Sequence, residues 1–239
     1  MLTYRLLARN GRLGNQLWQI ASTIGIAHAR GERAVFPYWR YRPYFSVPDE
    51  FFPEPGPPVD AEDLGHDWLQ ELGYFSAIEP LIRDLFTPSP LAWEPIADYH
   101  RDLLGLPHRT AVHVRRTDYL DRPDLFRPLG RPYYEAAMAA ASPPYLVFSD
   151  DIDWCRGNFP SECIFMEDNR DYEDLLLMAS CHEVIAANST FSWWGAWLSP
   201  GRRIFPRRWY GPGMPTFDRL SAKLDPELMF PADAVVIDR

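Results

Sequence analysis

The chain has 239 residues, enough for one large domain or two small ones, and 46% of them are apolar, a fraction that supplies a packed core and excludes a disordered polymer. Its 24 basic against 33 acidic side chains leave a formal charge of −9, which argues against a general nucleic-acid binder but still suits a local basic pocket on an acidic body. Cys155, Cys163 and Cys181 show no metal-ligand spacing and read as buried thiols. No window approaches the roughly 18 uninterrupted apolar residues of a membrane span, and Met1–Arg5 carries no leader-like apolar run, so a cytoplasmic protein is expected.

Leu2–Ala8 is predicted as a first strand, followed by a glycine-rich turn at Asn10–Asn15 and a helix over Gln16–Arg30, with an apolar stripe of Leu17, Ile20, Ile24 and Ala27 and a stop at Gly31. Ala34–Phe36 reads as a second strand. Pro37–Pro58, with seven prolines and several aromatics, reads as an irregular loop. Helices are expected over Ile78–Phe86 and Ile96–Leu104, and Gly105-Leu106-Pro107 is the expected hinge between lobes 1–107 and 108–239. Beyond it the pattern alternates. Strands are predicted at Thr110–Arg115, Tyr145–Ser149, Cys163–Met166, Glu183–Ala187 and Arg203–Phe205. Helices are predicted at Pro132–Ala141, Ile152–Asn158, Tyr172–Cys181 and Thr190–Leu198. This order argues for a parallel, doubly wound α/β sheet.

Four constellations carry chemistry. Arg115 and Arg116 leave the carboxyl end of the apolar strand holding Val112, His113 and Val114, where α/β proteins bind ligands, and guanidinium forks match phosphate oxygens. The bland alternative is a pair neutralised by Asp118 and Asp121. At Asn188-Ser189-Thr190-Phe191, a strand runs into a helix whose capped amino terminus is a ready anion site; the alternative is plain capping ahead of a core helix carrying Trp193, Trp194 and Trp197. Gly11–Gln16 lets backbone approach a ligand with Asn15 at the helix start, or is a tight turn capped by Asn15; it lacks the residues of a P-loop. Asp150 and Asp151, after the Tyr145–Ser149 strand, and Asp168, after the next one, offer carboxylates to a ribose hydroxyl or a base edge, or cap the following helices. No His, Asp or Cys cluster has metal-ligand spacing.

Taken together, Gly11-Arg12-Leu13-Gly14-Asn15-Gln16-Leu17, His113-Val114-Arg115-Arg116-Thr117-Asp118-Tyr119, Phe148-Ser149-Asp150-Asp151-Ile152-Asp153-Trp154-Cys155 and Asn188–Leu198 resemble the α-1,2-fucosyltransferases of glycosyltransferase family 11, with Gly73-Tyr74-Phe75-Ser76 a further similar segment. The resemblance implies a GT-B-like fold: two Rossmann-like lobes with parallel sheets and a cleft between them, the first lobe small and on the acceptor side, the second binding GDP-fucose. It implies an inverting, metal-independent transfer of L-fucose from GDP-β-L-fucose to a galactoside hydroxyl, with no cofactor beyond that donor. By this match Arg115, with Arg116 beside it, grips phosphate, His113 lies near the nucleoside, and Ser189, Thr190 and Phe191 contact the diphosphate. Asp150 and Asp168 complete the expected donor-binding set. Arg115, Asn15 and Asp118 are the expected catalytic residues, Asp118 being either a base or an ion-pair partner. Expected partners are GDP-fucose and a glycan, a lipid-linked acceptor bringing the protein to the inner membrane face. The Pro37–Pro58 region is short for the family, so a GDP-sugar-binding protein without catalysis is the alternative; a hydrolase would need two facing carboxylates where this chain presents arginines.

Overall fold

A computed structural model describes residues 1–65, 67–213 and 226–238. The chain divides into two units, Met1–Pro95 with Thr216–Met229, and Ile96–Pro215 with Phe230–Arg239. That division falls ahead of the Gly105-Leu106-Pro107 turn.

In the first unit, β1 (Leu2–Thr3) is followed by α1 (Leu13–Ala29) and pairs in parallel with β2 (Glu62–Asp63). The strand expected over Leu2–Ala8 is only two residues long because Asp63 intercepts it: the Arg5 N–H donates to Asp63 Oδ1 at 2.9 Å, and the chain then turns through Ala8 at φ +66°. Likewise Ala34 makes a single parallel bridge to Leu2, after which the Phe36 N–H donates to the Phe51 carbonyl, so no second strand grows at Ala34–Phe36. Helix α1 begins three residues earlier than expected and is buried on most of its surface. The Pro37–Pro58 segment is irregular, and aromatic stacking holds it in place of a ladder. Trp39 lies nearly parallel to Phe45 and Phe52 and donates its indole N–H to Gln16 of α1 at 2.9 Å. Helix α2 (Glu79–Leu85) follows, then α3 (Pro90–Tyr99), inside which the unit boundary falls, and α4 (Arg101–Leu104). The single helix expected over Ile96–Leu104 is therefore two, interrupted at His100.

The second unit is a parallel sheet of β3 (Thr110–Val114), β4 (Tyr145–Ser149), β5 (Ile164–Phe165), β6 (Glu183–Ile185), β7 (Arg202–Pro206) and β8 (Val235–Ile237), in the spatial order β5-β4-β3-β6-β7-β8. Helices α5 (Thr117–Asp121), α6 (Arg131–Ala139), α7 (Ile152–Asn158), α8 (Asp171–Ala179) and α9 (Thr190–Leu198) connect or flank these strands. Numbered within the unit, the strands run 3-2-1-4-5-6, the dinucleotide-binding order whose direction reverses between β3 and β6. One face packs Val112, Val114, Tyr133, Tyr134, Val147 and Ile185 into a core. Trp193, Trp194 and Trp197 are fully buried on α9, as their spacing predicted. Helix α5, β2 and β8 are elements the sequence reading did not predict.

Candidate functional site

The reversal between β3 and β6 sets the site. Above it, β3 releases Arg115 and Arg116 and β6 releases Asn188, Ser189 and Thr190. The register of the β3–β4 pair ends on Val114 opposite Ser149, and carried one and two residues further it brings Arg115 level with Asp150 and Arg116 level with Asp151. The side chains complete what the register begins. Arg115 Nη1 lies 2.9 Å from Asp150 Oδ2, and Arg116 Nε lies 3.1 Å from Asp151 Oδ2. The Asp118 carboxylate takes the other arm of Arg115, Nη2, at 2.7 Å. Of the two carboxylates expected to neutralise the arginines, Asp118 does so; Asp121 makes no ion pair among the described residues, and Asp150 and Asp151 take that place.

Asp150 does more than pair. It accepts from the Arg116 N–H at 2.9 Å, from the Thr117 N–H at 3.3 Å and from the Thr117 hydroxyl. Helix α5 has no side-chain cap of its own at Arg116, so a carboxylate from the neighbouring strand caps it. Burial works against the charged form, but the Thr117 hydroxyl, the Arg115 guanidinium and the Arg116 N–H together hold the Asp150 carboxyl below the usual aspartate range. Asp151 caps α7 by accepting the Trp154 N–H at 3.2 Å while also pairing with Arg116. The Arg116 guanidinium lies over the Trp154 ring at 4.0 Å, a platform the sequence reading missed. Its signals were its place in the Phe148–Cys155 segment and its position three residues after Asp151.

His113 is buried on β3 with its ring 5.4 Å from Phe191, and its Nδ1 has no hydrogen-bond partner. Burial first, and the Arg115 charge second, push its pKa down to about 3, so the ring is neutral at physiological pH. On the β6 side, Ser189 is the cap of α9, its hydroxyl accepting the Phe191 N–H at 3.3 Å, and Thr190 and Phe191 form the first turn. Tyr119 ties the two sides together: its hydroxyl donates to the Asn188 carbonyl at 2.9 Å, and its ring lies 5.7 Å from the Arg115 guanidinium. Burial pushes the Tyr119 hydroxyl up to about 12. Asn188, which the sequence reading treated only as the end of a strand, fixes two loops by donating its amide to the carbonyls of Arg127 at 2.9 Å and Trp209 at 2.8 Å.

The structure thus gathers His113, Arg115, Arg116, Asp118, Asp150, Ser189, Thr190 and Phe191 at one sheet edge. Asp168 lies beyond β5, the edge strand, in the left-handed region at φ +63°, and no contact joins it to the arginines. Asn15 belongs to the first unit. It does not cap α1, whose N-cap position is Arg12; it sits in the first turn and accepts from the Gln70 amide at 3.2 Å. Gly11 at φ +81° makes room for it, since a Cβ there would come within 2.4 Å of the Asn15 amide nitrogen. Among the described residues no three of His, Cys, Asp and Glu gather as a metal-ligating group, and no helix is long and apolar enough to cross a membrane.

The model of glycosyl transferase family 11 matches residues 55–206. The chain is 34% identical over 117 residues to the O-antigen biosynthesis glycosyltransferase WbnK of Escherichia coli, covering 42% of this chain and 39% of that protein. It is 31% identical over 161 residues to an alpha-1,2-colitosyltransferase of Escherichia coli, covering 60% and 54%. It is 28% identical over 242 residues to galactoside alpha-(1,2)-fucosyltransferase 1 of Saimiri sciureus, covering 82% and 65%. The matches therefore span less than two thirds of each relative's own length. Among solved structures, the fucosyltransferase NodZ from Bradyrhizobium shares the fold at a TM-score of 0.50 and 15% identity, covering 84% of this chain and 91% of that one.

Proposed function

The chain belongs to glycosyl transferase family 11, and we propose that it is an inverting fucosyltransferase that moves L-fucose from GDP-β-L-fucose to a galactoside hydroxyl in α-1,2 linkage, without a metal. The observation that carries this reading is the convergence, at the strand-order reversal of a dinucleotide-binding sheet, of two arginines with the amino terminus of α9. Two guanidinium forks and a helix terminus are what a departing diphosphate requires, because negative charge grows on GDP as the bond to fucose breaks. These donors supply the charge stabilisation that other transferases obtain from a divalent ion.

In this reading Arg115 and Arg116 grip the diphosphate from the β3 side, and Ser189, Thr190 and Phe191 receive it on the β6 side. Neutral His113 lies beside Phe191 with Nδ1 open, suited to accept a hydrogen bond from the nucleoside. Asp118 takes the proton of the acceptor hydroxyl as that oxygen bonds to the anomeric carbon and GDP leaves with the electron pair. Asp150 serves the donor by holding Arg115, and Asp168 keeps its assignment to a base edge. Asn15 assists turnover, and the first unit supplies acceptor recognition. A lipid-linked acceptor would bring the protein to the inner membrane face.

The test is a donor screen of GDP-fucose, GDP-mannose and UDP-galactose against a galactoside panel, with the product linkage read out. Transfer of fucose alone, persisting in excess EDTA, is expected, and Arg115→Ala should lower kcat about 100-fold or more. GDP binding without transfer from any donor would point to the binding-protein alternative, and loss of activity in EDTA that manganese restores would refute metal independence.

A further inference from the structure

The Tyr119 side chain reaches across the strand-order reversal and meets a group of the anion grip on either flank. The β3–β6 register sets Val112 opposite Ile185, and carried three residues further it brings Arg115 level with Asn188. Tyr119 stands on α5, whose first turn Asp150 caps from β4, and from there it crosses to the end of β6. Its buried hydroxyl donates to the Asn188 carbonyl at 2.9 Å and is also hydrogen-bonded to the Ser189 side chain. A carbonyl can only accept, so the Tyr119 hydrogen is committed to Asn188 and the Ser189 hydroxyl is the donor in the second bond. Ser189 Oγ meanwhile accepts the Phe191 N–H as the cap of α9. Both hydroxyl hydrogens are thereby spent, and any hydrogen that Ser189 gives an anion comes from its backbone N–H. The same tyrosine sets the direction of that N–H, because the peptide joining Asn188 to Ser189 is planar and fixing its carbonyl fixes the N–H opposite. The ring is held in turn. It stacks on Phe126 with 4.6 Å between centroids and 14° between planes, and the Arg115 guanidinium lies 5.7 Å from its centre.

We propose that Tyr119 is a positioning residue for the diphosphate grip: its hydroxyl aims the amino terminus of α9 and its ring seats Arg115, so that the two halves of the grip keep one spacing. This rests on the reading of Arg115 and the α9 terminus as diphosphate ligands. Tyr119 itself touches no phosphate; it acts through Asn188, Ser189 and Arg115. The expected signature of its loss is a weaker hold on the nucleotide that exceeds what the accompanying loss of stability explains. Tyr133 supplies the matched comparison, since it is also a buried tyrosine and its hydroxyl donates to the carbonyl of Ala186, two residues before Asn188 on the same segment.

The test is calorimetric titration with GDP of the wild type, Tyr119→Phe, Tyr133→Phe and Arg115→Ala, at a temperature below all their unfolding transitions. Each phenylalanine keeps the ring and removes one buried hydroxyl, so both variants should fold and lose similar stability. We expect Tyr119→Phe to bind GDP about three- to tenfold more weakly, the range set by one hydrogen bond, and Tyr133→Phe to stay within about twofold of the wild type. In transfer assays the KM for GDP-fucose should rise in Tyr119→Phe while the KM for the acceptor holds. GDP affinity within about twofold of the wild type in Tyr119→Phe overturns the proposal. So does an equal weakening in Tyr133→Phe, which would mean that any loosening of the β6 segment suffices, or a rise confined to the acceptor KM. Arg115→Ala binding GDP as tightly as the wild type overturns instead the reading of the grip on which the proposal rests.

Discussion

Asp150→Ala is the most informative single change in the second unit, because one carboxylate there joins two strands and the start of a helix. The variant leaves the Arg116 and Thr117 N–H groups without their acceptor and strips one arm of Arg115. Loss of a cap costs about 1 kcal/mol, and loss of a charge-assisted hydrogen bond about 1.5–3 kcal/mol. Arg115 keeps Asp118, and the residual exposure of Asp150 screens the pair, so the sum is about 2–4 kcal/mol rather than the penalty of a fully orphaned charge. For a chain of this size that lowers Tm by roughly 5–15 °C, readable by circular dichroism. The pH dependence is a second signature. The folded pKa of Asp150 is depressed, so its stabilisation is present above the unfolded value of about 3.9 and is lost as pH falls through the lower folded value. The gap between wild type and variant should therefore be full at about pH 7 and narrower at about pH 3. A loss under about 1 kcal/mol at neutral pH, or a gap as wide at about pH 3 as at about pH 7, would refute the reasoning.

Three further changes follow from the geometry. Trp154→Ala removes the ring under Arg116 and should weaken GDP binding by about 0.5–2 kcal/mol in a titration; unchanged affinity would separate the platform from the site. Asp174, on α8, is pushed by burial to about 7 against the opposing Asn169 amide, so the folded state retains a proton that the unfolded chain releases, and stability falls as pH rises from about 4 to about 7. Asp174→Asn should abolish that slope and stabilise the protein by roughly 1–2 kcal/mol at alkaline pH, measured as denaturation midpoints across pH; an unchanged slope would mean that the carboxyl is charged as folded. Gly25→Ala should destabilise by about 1–3 kcal/mol despite the better helix propensity of alanine, because a Cβ there would stand 2.1 Å from the Tyr74 carbonyl oxygen; a more stable variant in urea unfolding would refute that contact.

The alternation beyond Thr110 was legible because buried parallel strands and amphipathic helices write distinct periods, and their predicted spans in the second unit fell within two residues of the observed ones at each end. The first unit was not, because its strands are ended by particular side chains: Asp63 accepts the Arg5 N–H where a ladder would have continued. At the site, the arginines could be read as an anion grip, but not as one already occupied. That needed the register of β3 on β4, a relation between residues 35 apart that no local pattern encodes. The loop-fixing role of Asn188 was not legible for a similar reason, since the two carbonyls it binds lie in loops 61 and 21 residues away.

The path of the chain between the units bears on how the protein is made. After β7 the chain returns to the first unit, contributing Pro226–Met229, and only then supplies Val235–Ile237 as β8 on the flank of the sheet. On a translating ribosome, the strand that covers β7 therefore emerges after every other strand described, and until it does β7 presents an unpaired edge open to pairing with another chain. Arg203, the second residue of that edge, meets Asp233 only once that segment has been made. Neither unit can finish before the other's residues have been made. A chain cut after Met229 would lose both the covering strand and the acidic partner of Arg203, so expression trials should leave residues 230–238 intact and unencumbered.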